Sequence, residues 1–230
     1  TKMVSVQYEV ARAQIDRRVT EAWWDDYWLT ESLCILLAYV VAEKNGAAFD
    51  VGAQDVWAHF HLHKSKSYDD DLLPTRVPLV RKVLHSDEAE LISDSTEFVR
   101  GAALLRQIYA QLGKDSFNNV VAKYLRRKKS AYHNSSELTA LLLQELRKVK
   151  TSKGEDGALG DAWFKKAGVN LLSISSISGK SLAVAQESTS AGDALRSHSV
   201  TLHCYTMIDG FFTTRRETVE VAAVAESRVN

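Results

Sequence analysis

Residues 8–34 read YEVARAQIDRRVTEAWWDDYWLTESLC, a stretch that becomes rich in tryptophan and acid towards its end. Three of the five tryptophans of the chain lie there, around a pair of aspartates. Trp24, Trp28 and Glu31 fall at helical spacing, so a helix over this stretch places them on one face. A carboxylate on a buried helical face needs a cation or a hydrogen-bond donor beside it. The pattern therefore predicts a buried acid that is held by a partner.

The same stretch resembles the zinc aminopeptidases of peptidase family M1. Members of that family carry the segment HExxH, then a spacer as long as residues 13–30 of this chain, then a glutamate within a tryptophan- and acid-rich run. Aligned on Glu31, the HExxH segment falls on residues 8–12, YEVAR, and Val19 and Thr20 match a Val-Thr pair of the family. In the family the two histidines and the distal glutamate hold zinc, and the glutamate between the histidines is the general base.

The resemblance implies that Glu9 and Glu31 stand where the family has its acids, and that Tyr8 and Arg12 stand where it has its histidines. Tyrosine is a poor zinc ligand because its phenol ionises near pH ~10. Arginine is no ligand because its guanidinium stays protonated. Of the three protein ligands that such a catalytic site needs, Glu31 alone remains. We therefore expect neither a zinc cofactor nor catalysis at these positions.

Arg12 has two alternative interpretations. In the family's geometry its side chain points at the metal position, where a planar guanidinium can bind the carboxylates of Glu9 and Glu31. Alternatively, Glu9 and Arg12 are an ordinary exposed pair on one helix face that contributes about 0.3 kcal/mol. The fit of the neighbouring tryptophan run favours the first interpretation. It predicts a guanidinium within ~4 Å of at least one of the two carboxylates.

A second segment, ISDSTEFVRGAALLRQI at residues 92–108, resembles the D-x-I-x-Y-x-K-G-A-x-V-L-R segment of the same family. Gly101 matches its glycine, and its lysine falls on Arg100. Its tyrosine, which donates a hydrogen bond to the tetrahedral oxyanion, falls on Phe98, which keeps the ring and lacks the donor. Losing one such donor typically costs ~10²–10³-fold in rate. Taken alone, Phe98 is an ordinary core aromatic.

The predicted fold class is mainly α with a β tail (α+β), namely the helical lobe of a thermolysin-like domain followed by a small β-sandwich-like domain. Apolar residues recur at helical period in residues 3–15, 31–44, 53–66, 99–112, 116–129 and 137–150. The expected N-caps are Thr30 for the second of these helices, Asp115 for the fifth, and Ser135 or Ser136 for the sixth. Residues 151–160 form a polar, glycine-containing linker.

AWFKKAGVNLL at residues 162–172 resembles the end of the family's catalytic domain, so we place a domain boundary there, with domains 1–169 and 170–230. Beyond it the apolar pattern switches to period two, which predicts strands at residues 171–178, 181–188, 198–207 and 217–225. Asp209-Gly210 predicts a hairpin turn between the last two strands. The family's β-domain before the HExxH helix, and its GxMEN segment that binds the substrate's free amine, have no counterpart in this chain.

Charge and cysteine content limit the partners and the compartment. Lys+Arg and Asp+Glu both number 29, so the zero net charge gives no bulk electrostatic case for nucleic acid or membrane. The longest apolar run, around SLCILLAYVV, is too short to cross a bilayer. Cys34 and Cys204 are predicted to be reduced core thiols of an intracellular protein, in cytoplasm or mitochondrion, with a single disulfide as the alternative. The first residue, Thr1, predicts a processed or truncated N-terminus.

Two further groups of residues carry chemistry. His59 and His63 are four residues apart on a predicted helix, a spacing that can hold a metal, although a partly buried helix with satisfied histidines is the simpler interpretation. A basic tetrad follows a helix and consists of Arg126, Arg127, Lys128 and Lys129. It suits either favourable interaction with the helix dipole or binding of RNA or an acidic protein.

Three functions remain open from the sequence. The first is an inactive M1-like module that serves as a structural or assembly subunit, with other protein subunits as partners, including a chain that supplies the missing half of the domain. The second is a working zinc aminopeptidase that draws its ligands from an unexpected arrangement such as His59 and His63. The third is an RNA-associated subunit that uses the basic tetrad.

Overall fold

A computed structural model describes residues 2–49, 51–88, 95–126, 132–150, 162–178, 181–189, 195–208, 211–222, 224 and 226–229. The helices are α1 (Lys2–Asp16), α2 (Tyr27–Asn45), α3 (Ala53–Asp70), α4 (Ser95–Leu112), α5 (Lys114–Leu125), α6 (Ser135–Lys150) and the short α7 (Ala162–Lys165). The strands that follow are β1 (Asn170–Ser178), β2 (Ser181–Ser188), β3 (His198–Ile208), β4 (Phe211–Val221) and β5 (Glu226–Val229). The predicted fold class, mainly α with a β tail, is confirmed.

The helix α2 is the centre of the helical part. Eleven of its nineteen residues are buried, and α1, α3 and α4 all pack against it. A helix that is apolar on nearly every side is stable only when neighbours cover all of its faces. The core around it is formed largely by leucines and aromatic residues, including Trp28, Leu33, Leu36, Leu105, Ile108, Phe117, Leu138 and Leu142.

Gly101 allows α4 to approach α2 closely. A Cβ atom at this position would lie 2.9 Å from Cβ of Ser32 and 3.1 Å from Cε3 of Trp28. The Ser32 hydroxyl donates a hydrogen bond of 3.0 Å to the carbonyl of Phe98, one turn earlier on α4. The close approach therefore explains in packing terms why a glycine stands in this segment.

Two predicted helix caps are wrong. Thr30 is buried inside α2, which begins at Tyr27 after a short 3-10 turn, Trp24–Asp26, because the aromatic side chains and the acids before Thr30 are themselves held by tertiary contacts. Asp115 lies in the first turn of α5, and the residue before that helix is Gly113. Gly113 has φ of 76°, a conformation that separates α4 from α5 and that glycine adopts without strain.

The β part consists of two antiparallel sheets. One has the strand order β1-β2-β5, and the other is the hairpin of β3 and β4, paired from His198↔Val221 to Ile208↔Phe211. The strand predicted at residues 217–225 is displaced, since β4 begins at Phe211 and ends at Val221. The predicted Asp209-Gly210 turn and the predicted linker at residues 151–160 lie outside the described residues.

Arg196 ties the β part to the end of the helical part. Its guanidinium donates hydrogen bonds of 2.6 Å to the carbonyls of Gly168 and Ala167 and of 3.1 Å to that of Lys166. It is 6 % exposed, and its guanidinium also lies 5.3 Å from the ring centroid of Trp163. Gly168 has a positive φ of 79°, which favours glycine there. The AGVN segment is thus held by one buried cation, and the domain boundary beside it stays a prediction.

Neither cysteine is in a disulfide. Cys34 is buried in α2, whereas Cys204 is exposed on β3. The prediction of a core thiol is therefore wrong for Cys204, because the β3–β4 hairpin leaves that part of the strand uncovered. Among the helices in the described ranges, none is long and apolar enough to cross a membrane.

Candidate functional site

Four side chains from two helices meet between α1 and α2. Tyr8 and Arg12 are one turn apart on α1, and Tyr27 and Glu31 are one turn apart on α2. Because residues four apart lie on the same helix face, the two pairs confront each other across the helix interface. We refer to these four residues as the Arg12–Glu31 cluster.

The cluster is linked by hydrogen bonds and one ion pair. Nη1 of Arg12 lies 2.6 Å from Oε1 of Glu31, and the Tyr8 hydroxyl donates a hydrogen bond to Oε2 of the same carboxylate. Arg12 also donates to the hydroxyls of Tyr8, at 3.0 Å, and Tyr27, at 3.4 Å. Its Nε lies 3.5 Å from Oδ2 of Asp16 on the same helix. Both oxygens of Glu31 are therefore engaged by side chains of α1.

Burial is uneven across the cluster. The Glu31 side chain is 4 % exposed and that of Arg12 is 36 % exposed, so the carboxylate is dry and the guanidinium reaches solvent. Burial raises the pKa of Tyr8, and its hydrogen bond to Glu31 raises it further, so the phenol remains a protonated donor. The hydrogen bond to Tyr27 is the main cause that raises the pKa of Arg12. The cluster is thus a protonated phenol and a permanent cation around one carboxylate.

The predicted contact between Arg12 and a glutamate is confirmed for Glu31 and is absent for Glu9. The Glu9 side chain is exposed, and no other described residue forms a salt bridge or side-chain hydrogen bond with it. The alternative of an ordinary Glu9–Arg12 surface pair is therefore wrong. Glu9 is thus solvent-exposed on α1 and takes no part in the contact with Glu31.

The donor set of the cluster does not fit a zinc ion. A catalytic zinc site needs three nitrogen, oxygen or thiolate ligands, and the cluster provides one carboxylate that Arg12 and Tyr8 already bind. A guanidinium 2.6 Å from that carboxylate would lie beside any cation bound there and would repel it. Across the described ranges, no group of three or more His, Cys, Asp or Glu side chains is arranged to hold a metal ion.

Phe98 lies next to the cluster. It is buried, and its ring contacts that of Tyr27 edge to face, with centroids 5.5 Å apart. A phenol is therefore present beside the position of Phe98, but it comes from α2 and accepts a hydrogen bond from Arg12. The sequence pattern did not single out Tyr27, because an aromatic residue in a tryptophan-rich run is as typical of a core as of a polar cluster.

The acidic residues of the tryptophan run hold distant segments in place. Asp25 accepts a hydrogen bond from the backbone N–H of Val83, and Trp23 donates one of 2.7 Å to the carbonyl of the same residue. Asp26 accepts one of 2.7 Å from the backbone N–H of Ser135, at the N-terminus of α6. A carboxylate at this end of a helix also meets the positive end of the helix dipole. Hydrogen bonds therefore link the tryptophan run to the segment around Val83 and to the start of α6.

His59 and His63 lie one turn apart on α3, with ring centroids 4.6 Å apart. Nδ1 of His59 is 2.7 Å from the hydroxyl of Tyr39, and burial lowers the pKa of this histidine. The pair has no third ligand among the described residues. Of the basic tetrad, Arg126 is exposed at the end of α5, and Arg127, Lys128 and Lys129 lie outside the described residues.

The raised pKa of the Tyr8 phenol should make the folded protein less stable in alkaline solution. Its pKa in the folded protein is raised above the ordinary value near ~10, so between these values the unfolded chain has lost a proton that the folded chain keeps. The stabilisation is fully present below pH ~10 and decreases as the pH rises through the folded-state pKa. Tyr8→Phe should therefore make the free energy of unfolding fall less steeply with pH.

The measurement is urea unfolding at neutral pH and at pH values above ~10. Tyr132→Phe is the matched control, because Tyr132 is 72 % exposed and lies far from the cluster in sequence. Equal pH dependence of the Tyr8→Phe variant and the unsubstituted protein would contradict the role of Tyr8 as a buried donor.

The fold and the cluster together define a helical domain in which the interface between α1 and α2 buries one carboxylate beside an arginine and a tyrosine. Comparison with known proteins identifies the family. The sequence profile of the "Peptidase family M1 domain" matches residues 3–155. The chain therefore belongs to peptidase family M1.

Individual relatives agree with this assignment. A leucyl aminopeptidase of Saccharolobus solfataricus is 28 % identical over 183 residues, which cover 79 % of this chain and 22 % of that protein. An aminopeptidase N of Streptomyces lividans is 27 % identical over 172 residues, covering 74 % of this chain and 19 % of that protein. The Tricorn protease-interacting factor F2 of Thermoplasma volcanium is 26 % identical over 174 residues, covering 74 % and 21 %. The chain thus spans about a fifth of the length of these relatives.

Proposed function

We propose that this chain is a catalytically inactive member of family M1 that serves as a structural or assembly subunit of a larger protein complex. The observation that carries the proposal is the ion pair between Arg12 and Glu31, 2.6 Å long, with the Tyr8 hydroxyl on the other carboxylate oxygen. In the alignment with the family these are the three zinc-ligand positions. Two of them hold side chains that do not ligate zinc, and both bind the third.

The guanidinium of Arg12 supplies the positive charge that a zinc ion would supply, but it cannot perform the chemistry of the ion. A buried carboxylate needs a positive charge beside it, and Arg12 supplies that charge permanently. It cannot lower the pKa of a bound water or polarise a substrate carbonyl as an open metal coordination position does. The cluster thus supports the packing of α1 against α2 and offers no nucleophile.

A zinc aminopeptidase is the second candidate, because the relatives named above are aminopeptidases and the chain spans only part of their length. The Tyr27 phenol beside Phe98 also leaves one hydroxyl near the cluster. Under this candidate the zinc ligands come from residues other than Tyr8 and Arg12. The cluster favours the first candidate, since its carboxylate is already paired.

Exposed apolar side chains support a protein partner. Four of them lie at the far end of the β3–β4 hairpin and are 62–76 % exposed, namely Tyr205, Met207, Phe211 and Phe212. Val6 and Val10 are also more than half exposed, one turn apart on α1. Contiguous apolar patches on a surface commonly mark sites of protein–protein contact.

Hydrolysis of aminoacyl p-nitroanilides by the intact protein, purified from its own cells, tests the proposal. We expect no hydrolysis that a zinc chelator abolishes. The matched control is Glu9→Gln, which removes the family's general base and leaves the Arg12–Glu31 cluster intact. Chelator-sensitive hydrolysis that Glu9→Gln eliminates would establish the second candidate and refute the first.

A further inference from the structure

A groove of about 1090 Å³ separates the helical part from the β part. Residues of α3 and α4 form one wall, and the first residues of β1 and β3 form part of the other. Aromatic rings line it, among them Trp57, Phe60 and Trp163. This groove is separate from the Arg12–Glu31 cluster, none of whose residues line it.

Two cations in the groove have no salt-bridge partner among the described residues. The guanidinium of Arg106 lies 3.9 Å from the ring centroid of Trp57, and the ammonium of Lys64 lies 5.2 Å from that of Tyr68. Within the described part of the chain, neither side chain has a carboxylate within salt-bridge distance or a hydrogen-bond acceptor. Their N–H donors are therefore available to a ligand, and the aromatic faces hold both charges in position.

The cations are close enough to act on each other. Burial lowers the pKa of Lys64, and the charge of Arg106 lowers it further. The pKa of His61, on the same wall, is lowered by burial and then by Arg106 and Lys64. Glu43 and Asp69 also line the groove, but neither is within salt-bridge distance of Arg106 or Lys64. Burial lowers the pKa of Arg106, and the charge of Glu43 acts in the opposite direction. Two cations without a salt-bridge partner in a partly desolvated groove can bind a ligand with carboxylates.

The opposite wall suits an extended polypeptide. Both β1 and β3 are edge strands within the described sheets, since β1 pairs with β2 alone and β3 with β4 alone. A hydrogen bond links the start of β3 to α4: Gln107 donates to the carbonyl of Ser199 at 3.0 Å. Edge strands can bind an extended segment through backbone hydrogen bonds.

We propose that this groove binds an extended acidic segment of a partner polypeptide, whose carboxylates pair with Lys64 and Arg106 and whose apolar side chains contact Trp57 and Trp163. Nucleic acid fits less well, because two cations neutralise few phosphates, whereas a peptide can place single carboxylates at Lys64 and Arg106 and keep them away from Glu43 and Asp69.

Fluorescence anisotropy of a fluorescein-labelled peptide of alternating glutamate and leucine, titrated with the intact protein, tests the proposal. A peptide with glutamine in place of glutamate is the control for charge. We expect Lys64→Gln/Arg106→Gln to weaken binding of the acidic peptide by about tenfold or more. Lys66→Gln is the matched control, because Lys66 is exposed on the same helix and does not line the groove. Lys66→Gln should leave the affinity unchanged.

Arg106→Lys keeps the charge over Trp57 and should retain most of the affinity, which separates loss of charge from loss of folding. Lys64→Gln alone provides a second measurement that leaves the Arg106–Trp57 contact intact. Several outcomes overturn the proposal: no binding of the acidic peptide, equal binding of the glutamine peptide, or unchanged affinity in the double variant. Single-stranded RNA that binds more tightly than the peptide, and is weakened by the same substitutions, also overturns it.

Discussion

Replacing Arg12 by methionine is expected to lower the free energy of unfolding by about 2–3 kcal/mol. The substitution leaves the Glu31 carboxylate, whose side chain is 4 % exposed, without its cation. Breaking a fully buried pair in this way typically costs ~3–5 kcal/mol. The expected value is smaller because the Arg12 side chain is 36 % exposed and solvent screens part of its charge.

A double-mutant cycle with Glu31→Gln measures the coupling directly by urea unfolding. In the Glu31→Gln background, Arg12→Met should lower the free energy of unfolding much less, because the glutamine has no charge that is left unpaired. Arg17→Met, at an exposed residue just after α1, is the control for loss of a surface arginine. Additive effects of Arg12→Met and Glu31→Gln would show that the ion pair contributes nothing to folding.

Trp28→Ala is expected to lower the free energy of unfolding by ~3–5 kcal/mol, the usual cost of truncating a buried tryptophan. Trp28 is 1 % exposed, contacts the ring of Phe164 with centroids 5.8 Å apart, and packs close to Gly101. Its removal opens a cavity between α2 and α4 that neighbours cannot fill without moving whole helices.

Trp24→Ala is the matched comparison and should cost far less, on the order of 1 kcal/mol. The sequence predicts that Trp23, Trp24 and Trp28 all hold α2 against α1, but Trp23 is 46 % and Trp24 39 % exposed. Trp24 contacts Tyr27 edge to face at 6.0 Å, outside the main core. Chemical denaturation of both variants checks the difference, and equal losses of stability would contradict the distinction between the two tryptophans.

The contact between Arg12 and Glu31 was predicted from the resemblance to family M1, which places both residues at zinc-ligand positions and therefore close together. Local spacing adds only that Tyr8 and Arg12, four residues apart, share one face of α1. Tyr27 escaped prediction because an aromatic residue is as typical of a core as of a polar cluster. The bonds from Asp25 to Val83 and from Asp26 to Ser135 join residues distant in the chain, which no local pattern specifies.

Helix boundaries are also difficult to predict from a local pattern, because tertiary contacts can move them. Thr30 is a good capping residue by its chemistry, but burial of the preceding segment extends α2 beyond it. The groove beside Arg106 was not predicted for a related reason. Its walls come from α3, α4, β1 and β3, whose proximity is a property of the tertiary fold, and neither Lys64 nor Arg106 stands in a distinctive sequence pattern.

The most direct test of the account is equilibrium zinc binding, measured by competition with a chromophoric chelator, for the unsubstituted protein and the Tyr8→His/Arg12→His variant. The variant restores two histidines opposite Glu31 and should bind about one zinc ion per chain, because three ligands of the required types then converge. Any hydrolysis of an aminoacyl amide by this variant should be ~10²–10³-fold slower than at a site that has the oxyanion donor, since Phe98 lacks it. We expect no comparable zinc binding by the unsubstituted protein. About one tightly bound zinc ion per chain that Glu31→Gln releases would contradict the proposed inactivity.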